Sequence, residues 1–150
     1  MTKAILDKAT PALLWAFIGT LQLQAAVAPH SKEEMEKGAT VVVEGEVLSV
    51  TSKTQKSEVE RGLVMARDRV YTVTLRVSKV AKGKAKVGDE LQFKAWRPST
   101  RVPPLPGPQG HHPIPGKGDM VKVYLLGEKE NSQPYMPNGI EILKEAPKGK

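Results

Sequence analysis

The 150-residue chain contains no cysteine. Disulfides, thiolate metal sites, cysteine nucleophiles and a lipid anchor on a lipobox cysteine are excluded together. Aromatic residues make up only 5% of the chain. A single-stranded nucleic-acid groove stacks bases on aromatic faces. After residue 28 only Tyr71, Phe93, Trp96, Tyr124 and Tyr135 are available for that. Nucleic acid is therefore not expected as a partner, despite a formal net charge of +7. Histidine is equally sparse: His30 and the adjacent pair His111-His112. With no glycine-rich phosphate loop, nucleophile elbow or HExxH motif, they leave little for a catalytic triad. No enzymatic activity and no cofactor are expected. Beyond residue 28 no run is apolar enough to cross a bilayer, which takes about 20 such residues.

What is present fits one folded domain. Hydrophobic residues are 39% and charged residues 26%, ordinary values for a globular protein. Residues 1–28 read as an address rather than as part of the fold. Lys3 and Lys8 give a positive start, residues 12–28 carry no charge, and the stretch ends in Ala25-Ala26-Val27-Ala28. That is the secretory signal pattern. Ala26-Val27-Ala28 is the formal cleavage match, but Pro29 is disfavoured just after a cut, so cleavage is placed between Ala25 and Pro29. The alternative is a retained anchor, for which an apolar run containing Gly19, Gln22 and Gln24 is short and polar. Loss of residues 1–28 removes Lys3, Lys8 and Asp7, lowers the charge from +7 to +6 and leaves residues 29–150 as the mature domain. The expected location is secreted or periplasmic, with membrane contact only through the signal segment.

Ser31-Lys32-Glu33-Glu34 fits a capping box and starts a helix of two turns at most, with Met35 as its inward residue and Gly38 as its stop. Thr40 to Val50 follows, the first strongly β-forming stretch. Its apolar residues occupy both faces, and Gly45 falls where the balance between them changes, which suggests a bulge or bend. Residues 51–69 are polar and read as a long connection whose second half can already be strand. In Val70 to Val80, Tyr71, Val73, Leu75 and Val77 alternate with polar residues, and Leu91, Phe93 and Ala95 alternate with Gln92, Lys94 and Trp96. These two strands form a hairpin. Its turn carries Lys79, Lys82, Lys84 and Lys86, read as a solvated loop or as guards of a sheet edge rather than as an anion patch.

Arg97 to Asp119 holds seven prolines and four glycines and reads as a long, semi-rigid loop. Pro103-Pro104-Leu105-Pro106 within it reads as stiffening. His111 and His112 can offer imidazole to Cu(II), Ni(II) or Zn(II). A third ligand would have to come from His30, Asp119, Met120 or Met136, and the alternative is exposed loop histidines. Gly118-Asp119 repeats the turn chemistry of Gly88-Asp89 and leads into a strand over residues 120–126. Asn138-Gly139 is a further turn, Ile140 to Leu143 is a short last strand, and residues 144–150 are a flexible tail.

These segments predict a mainly β fold: a small five-stranded OB-like antiparallel barrel with one short N-terminal helix after the signal peptide. Ala39 to Val47, Tyr71-Thr72-Val73 through Val77, Val80, Lys82-Gly83 and Tyr124-Leu125-Leu126-Gly127 resemble the netrin-like domain of tissue inhibitors of metalloproteinases, over roughly residues 36–127. The resemblance implies an OB barrel. It does not carry the inhibitory chemistry, because those inhibitors chelate the protease zinc through an N-terminal cysteine and this chain has none. The expected function is a non-enzymatic binding module for a protein or cell-envelope component. The contact surface is the Trp96-to-His112 loop together with the 51–69 connection, with Trp96, Arg97 and Arg101 as binding residues, since Trp and Arg are favoured anchors. For Trp96 the competing role is a core cap beneath the loop. A metal-binding or metal-delivery protein using His111 and His112 is the alternative function.

Overall fold

A computed structural model of the protein describes residues 27–104, 106–127 and 132–147. The expected signal segment up to Ala26 and the last three residues of the expected tail lie outside them. The elements run α1 (Lys32–Gly38), β1 (Val41–Lys56), β2 (Met65–Lys82), β3 (Glu90–Val102), β4 (Met120–Leu126), β5 (Gln133–Pro134) and β6 (Ile140–Lys144).

The capping box is formed in both directions. The Glu34 N–H donates to Ser31 Oγ at 3.2 Å and the Ser31 N–H donates to the Glu34 carboxylate at 2.9 Å. Two of the helix's orphan amides are thereby satisfied. Met35 is buried and packs with Ala39, Val42 and Tyr124 into a small second cluster. Two lysines tie the helix down. Lys122 Nζ reaches Glu36 at 3.0 Å, and Lys82 Nζ donates to the Glu36 and Lys37 carbonyls at 2.9 and 2.8 Å. The second contact places a cation on the negative end of the helix dipole. Of the four lysines around the β2–β3 turn, Lys82 therefore has this structural role, and Lys79 pairs with Glu44 at 3.2 Å.

β1 organises the sheet. It pairs with β2 along nearly its whole length and with β4 over Val41 to Glu46, both antiparallel. The strand order is β3-β2-β1-β4-β5, with β6 also on β4. At Gly45 the register with β2 slips. A Cβ there would stand 2.3 Å from the Arg76 carbonyl oxygen and 2.5 Å from Leu75 Cδ1, so the bend needs glycine because the neighbouring backbone approaches so closely. The main core lies on one face and joins Val43, Val47, Val73, Leu75, Phe93 and Val123, all 1% exposed or less, with others from the same strands.

The repeated Gly-Asp turns are one device used twice. The Gly88 and Gly118 N–H groups donate to the Val77 and Val47 carbonyls, each at 2.8 Å. The Val77 and Val47 N–H groups return to the Asp89 and Asp119 carbonyls, each at 2.9 Å. Each aspartate carboxylate accepts the N–H three residues earlier, Lys86 at 2.8 Å and Gly116 at 2.7 Å. Both glycines have positive φ, a conformation that a side chain disfavours.

Three expectations are corrected. Among the described residues the sheet has six strands rather than five, and it is antiparallel but not closed into a barrel. The two edges meet where the Lys94 N–H donates to the Ser132 carbonyl at 3.1 Å. Residues 51–69 are not a long connection, since β1 runs to Lys56 and only residues 57–64 link it to β2; the expected strand in the second half is present from Met65 on. Polar residues such as Thr51, Thr54 and Arg69 hold strand here because cross-strand pairing satisfies the backbone and neither side chain needs burial. The loop expected from Arg97 starts six residues later, because β3 continues to Val102. Pro98 is accommodated opposite Asp68, beside a register shift, the kind of position where a strand tolerates proline.

Candidate functional site

The extension of β1 and β2 beyond the core builds the site. The register aligns Thr51 with Thr72 and Lys94, and Lys53 with Val70 and Trp96. These residues alternate with core-facing Tyr71, Val73, Phe93 and Ala95, so they lie on the sheet's other face. The 57–64 turn folds over this face. The Ser57 N–H donates to the Ala66 carbonyl at 3.0 Å, and Glu60 accepts the Ala66 N–H at 2.9 Å. The Glu60 carboxylate also takes the Arg67 guanidinium and lies 3.6 Å from Lys56 Nζ. The Ala66 N–H first, then the neighbouring cations, hold that carboxyl below its ordinary range. On the opposite side stand Gln133 and Met136.

Between the turn, the three strands and residues 133–136 lies a cleft of about 720 Å³. Lys53, Lys56, Lys94 and Arg101 bring positive charge to its lining, and Glu58 and Asp68 bring negative charge. Only part of this charge is paired locally. Arg101 donates to Asp68 at 2.6 Å in a largely buried pair and also bonds the Arg67 and Thr100 carbonyls. Lys53 and Lys94 have no carboxylate partner among the described residues. Trp96 is half-buried and lines both this cleft and a smaller neighbouring one of about 330 Å³.

The anchors expected from sequence take different positions. Trp96 both packs and faces the cleft: its ring meets His111 edge-on at 6.4 Å, while its indole N–H has no acceptor among the described residues. Arg97 turns to the histidine pair, donating from Nε to the His111 carbonyl at 3.0 Å and from its terminal nitrogen to His112 Nδ1. It is absent from the cleft wall. Arg101 lines the cleft but is committed to Asp68. The 51–69 and 96–108 segments do come together, since residues of both line the same cleft. Lys53, Val70, Thr72, Lys94 and Gln133 were not singled out by sequence, and Met136 was considered only as a metal ligand. The alternation that places Lys94 and Trp96 opposite Phe93 and Ala95 carried part of that information.

His111 is 1% exposed. Its Nδ1 accepts the Trp96 N–H at 3.1 Å and its Nε2 lies 3.0 Å from the Pro134 carbonyl. A carbonyl only accepts, so Nε2 carries the proton and the ring is the neutral Nε2–H tautomer. Burial pushes its pKa down, partly offset by the bond that Nε2–H gives the Pro134 carbonyl. Both nitrogens therefore serve the join between β3 and β5, and a metal at His111 would have to displace one of those bonds. His112 is exposed. Among the described residues no three His, Asp or Glu side chains converge as metal ligands. His30 meets Tyr135 edge-on at 5.5 Å, and Asp119 accepts the Gly116 and Ala146 N–H groups. Comparison with protein-family models, with curated proteins and with solved structures gave no match.

Proposed function

We propose that the chain is an exported, non-enzymatic β-sheet module that holds a protein or cell-envelope component in the cleft beside Trp96. The observation that carries this reading is the cleft itself. It is concave, sits on one outer face of the sheet, and has a tryptophan wall and polar groups that are free of internal partners among the described residues. Export is read from residues 1–28 alone. The finer fold reading is a partly open barrel of the OB kind, similar to a netrin-like domain. It is supported by the β3-β2-β1-β4-β5 order and by the contact between β3 and the β5 end.

The test is retention of envelope-fraction material by the immobilised full chain and by Trp96→Ala, with far-UV circular dichroism confirming that both are folded. The expected result is retention of a defined component by the parent chain and its loss in the variant. Equal retention by both would move the contact surface away from the cleft.

A further inference from the structure

We infer that the cleft takes a carboxylated oligosaccharide, a sugar ring lying on the Trp96 indole and carboxylates reaching Lys53 and Lys94; this rests on the cleft being the binding site. Three features of the lining select that chemistry. The first is charge: Lys56 and Arg101 sit with Glu60 and Asp68, while among the described residues Lys53, Lys94 and Glu58 have no ion-pair partner, so two free cations against one free carboxylate are left to meet an anionic guest. They stand on the outer strands of a three-strand floor, with Val70 and Thr72 on the strand between them. Neighbouring strands lie about 4.8 Å apart, so the two lysine backbones stand two strand spacings apart across the floor, a separation that an extended ligand can bridge.

The second feature is the single aromatic face. One tryptophan suits one ring, whereas a nucleic-acid strand calls for several successive platforms. The indole N–H adds a donor at the ring's edge. The third feature is the rest of the lining. Thr51, Ser52, Gln55, Thr72 and Gln133 supply hydroxyls and amides, none of which makes a side-chain hydrogen bond inside the cleft among the described residues. Hydroxyls and amides both donate and accept, which is what sugar hydroxyls require. An acidic peptide would use the lysines but leave that lining and the indole face unmatched.

The experiment uses the full chain carrying Trp15→Phe, so that Trp96 is its only tryptophan. Its fluorescence and, in parallel, binding heat are followed with hexagalacturonate, with the fully methyl-esterified hexamer and with hexaglutamate. The inference predicts saturable binding of hexagalacturonate that weakens as salt rises from about 50 mM to about 200 mM. The ester, hexaglutamate and the Lys53→Gln/Lys94→Gln variant should each bind at least about tenfold more weakly. Equal binding of the ester would overturn the role of the lysines, and equal binding of hexaglutamate would replace the sugar by a peptide. Absence of saturable hexagalacturonate binding up to about 1 mM would overturn the inference outright. If envelope material were still retained in a Trp96-dependent way, only the ligand class would fall. If retention did not depend on Trp96, the binding-site reading would fall with it.

Discussion

His111 shows how one buried side chain settles a local question. Its neutral ring joins the Trp96 amide to the Pro134 carbonyl, and burial holds its pKa below the ordinary value. The unfolded chain therefore takes up the proton first. The contribution to stability is complete above about pH 6.5 and is lost progressively as the pH falls from there toward the lowered folded value. The urea midpoint of the parent should drop between about pH 7 and about pH 5, and that drop should be smaller in His111→Gln, which lacks the titrating ring. Equal slopes would remove the histidine from the account. Gly45 makes a second prediction at this scale. Gly45→Ala forces a methyl group against the Arg76 carbonyl and should cost about 1–3 kcal/mol, read from urea unfolding. The sequence made Gly45 legible, because the apolar pattern changes face there. It did not make His111 legible, because an imidazole in a Pro/Gly loop has the same letter whether it faces solvent or bridges two strands.

At the scale of elements, the hairpin that forms the cleft extends past the core and depends on its turn. Glu60 is the turn's fastener, accepting the Ala66 N–H and taking Arg67 and Lys56. Glu60→Ala should speed hydrogen exchange at the Ala66 amide by on the order of tenfold while core amides such as Val73 stay unchanged. In the parent, the lowered carboxyl pKa means that the fastening holds above the ordinary glutamate value, about 4.3, and is lost as the pH falls through the lowered one. The Ala66 amide should therefore keep its protection, relative to Val73, at the ordinary glutamate value and lose it only below that. The helix start, the core halves of β1 to β3 and the last strand were readable because capping residues and alternation are local. The outer halves of β1 and β2 were not. Their residues are polar on both faces, and what makes them strand is each other, across a turn that no short-range pattern announces. In the same way β3 reads as ending at Trp96 because prolines and charges follow, yet its backbone continues along β2 to Val102.

For the whole molecule, the open sheet and the cleft belong together. β1 is long enough to serve two purposes: its first half lies between β2 and β4 over the core, and its second half forms the cleft floor with β2 and β3. The incomplete closure leaves the two sheet edges joined through His111, Ser132 and Lys94 near the same site. A guest in the cleft should therefore stabilise the fold as a whole, raising the thermal midpoint with the logarithm of its concentration once that exceeds the dissociation constant. The central claim, that this outer face of β1, β2 and β3 is where the protein holds its ligand, is tested most directly by an amide-resolved NMR titration of the full chain with hexagalacturonate. Saturable shifts are expected at the Lys53, Val70 and Lys94 amides together with the Trp96 indole N–H, and little change in the Lys84–Lys86 turn. Shifts centred on that lysine turn, or spread over the surface according to charge alone, would contradict it.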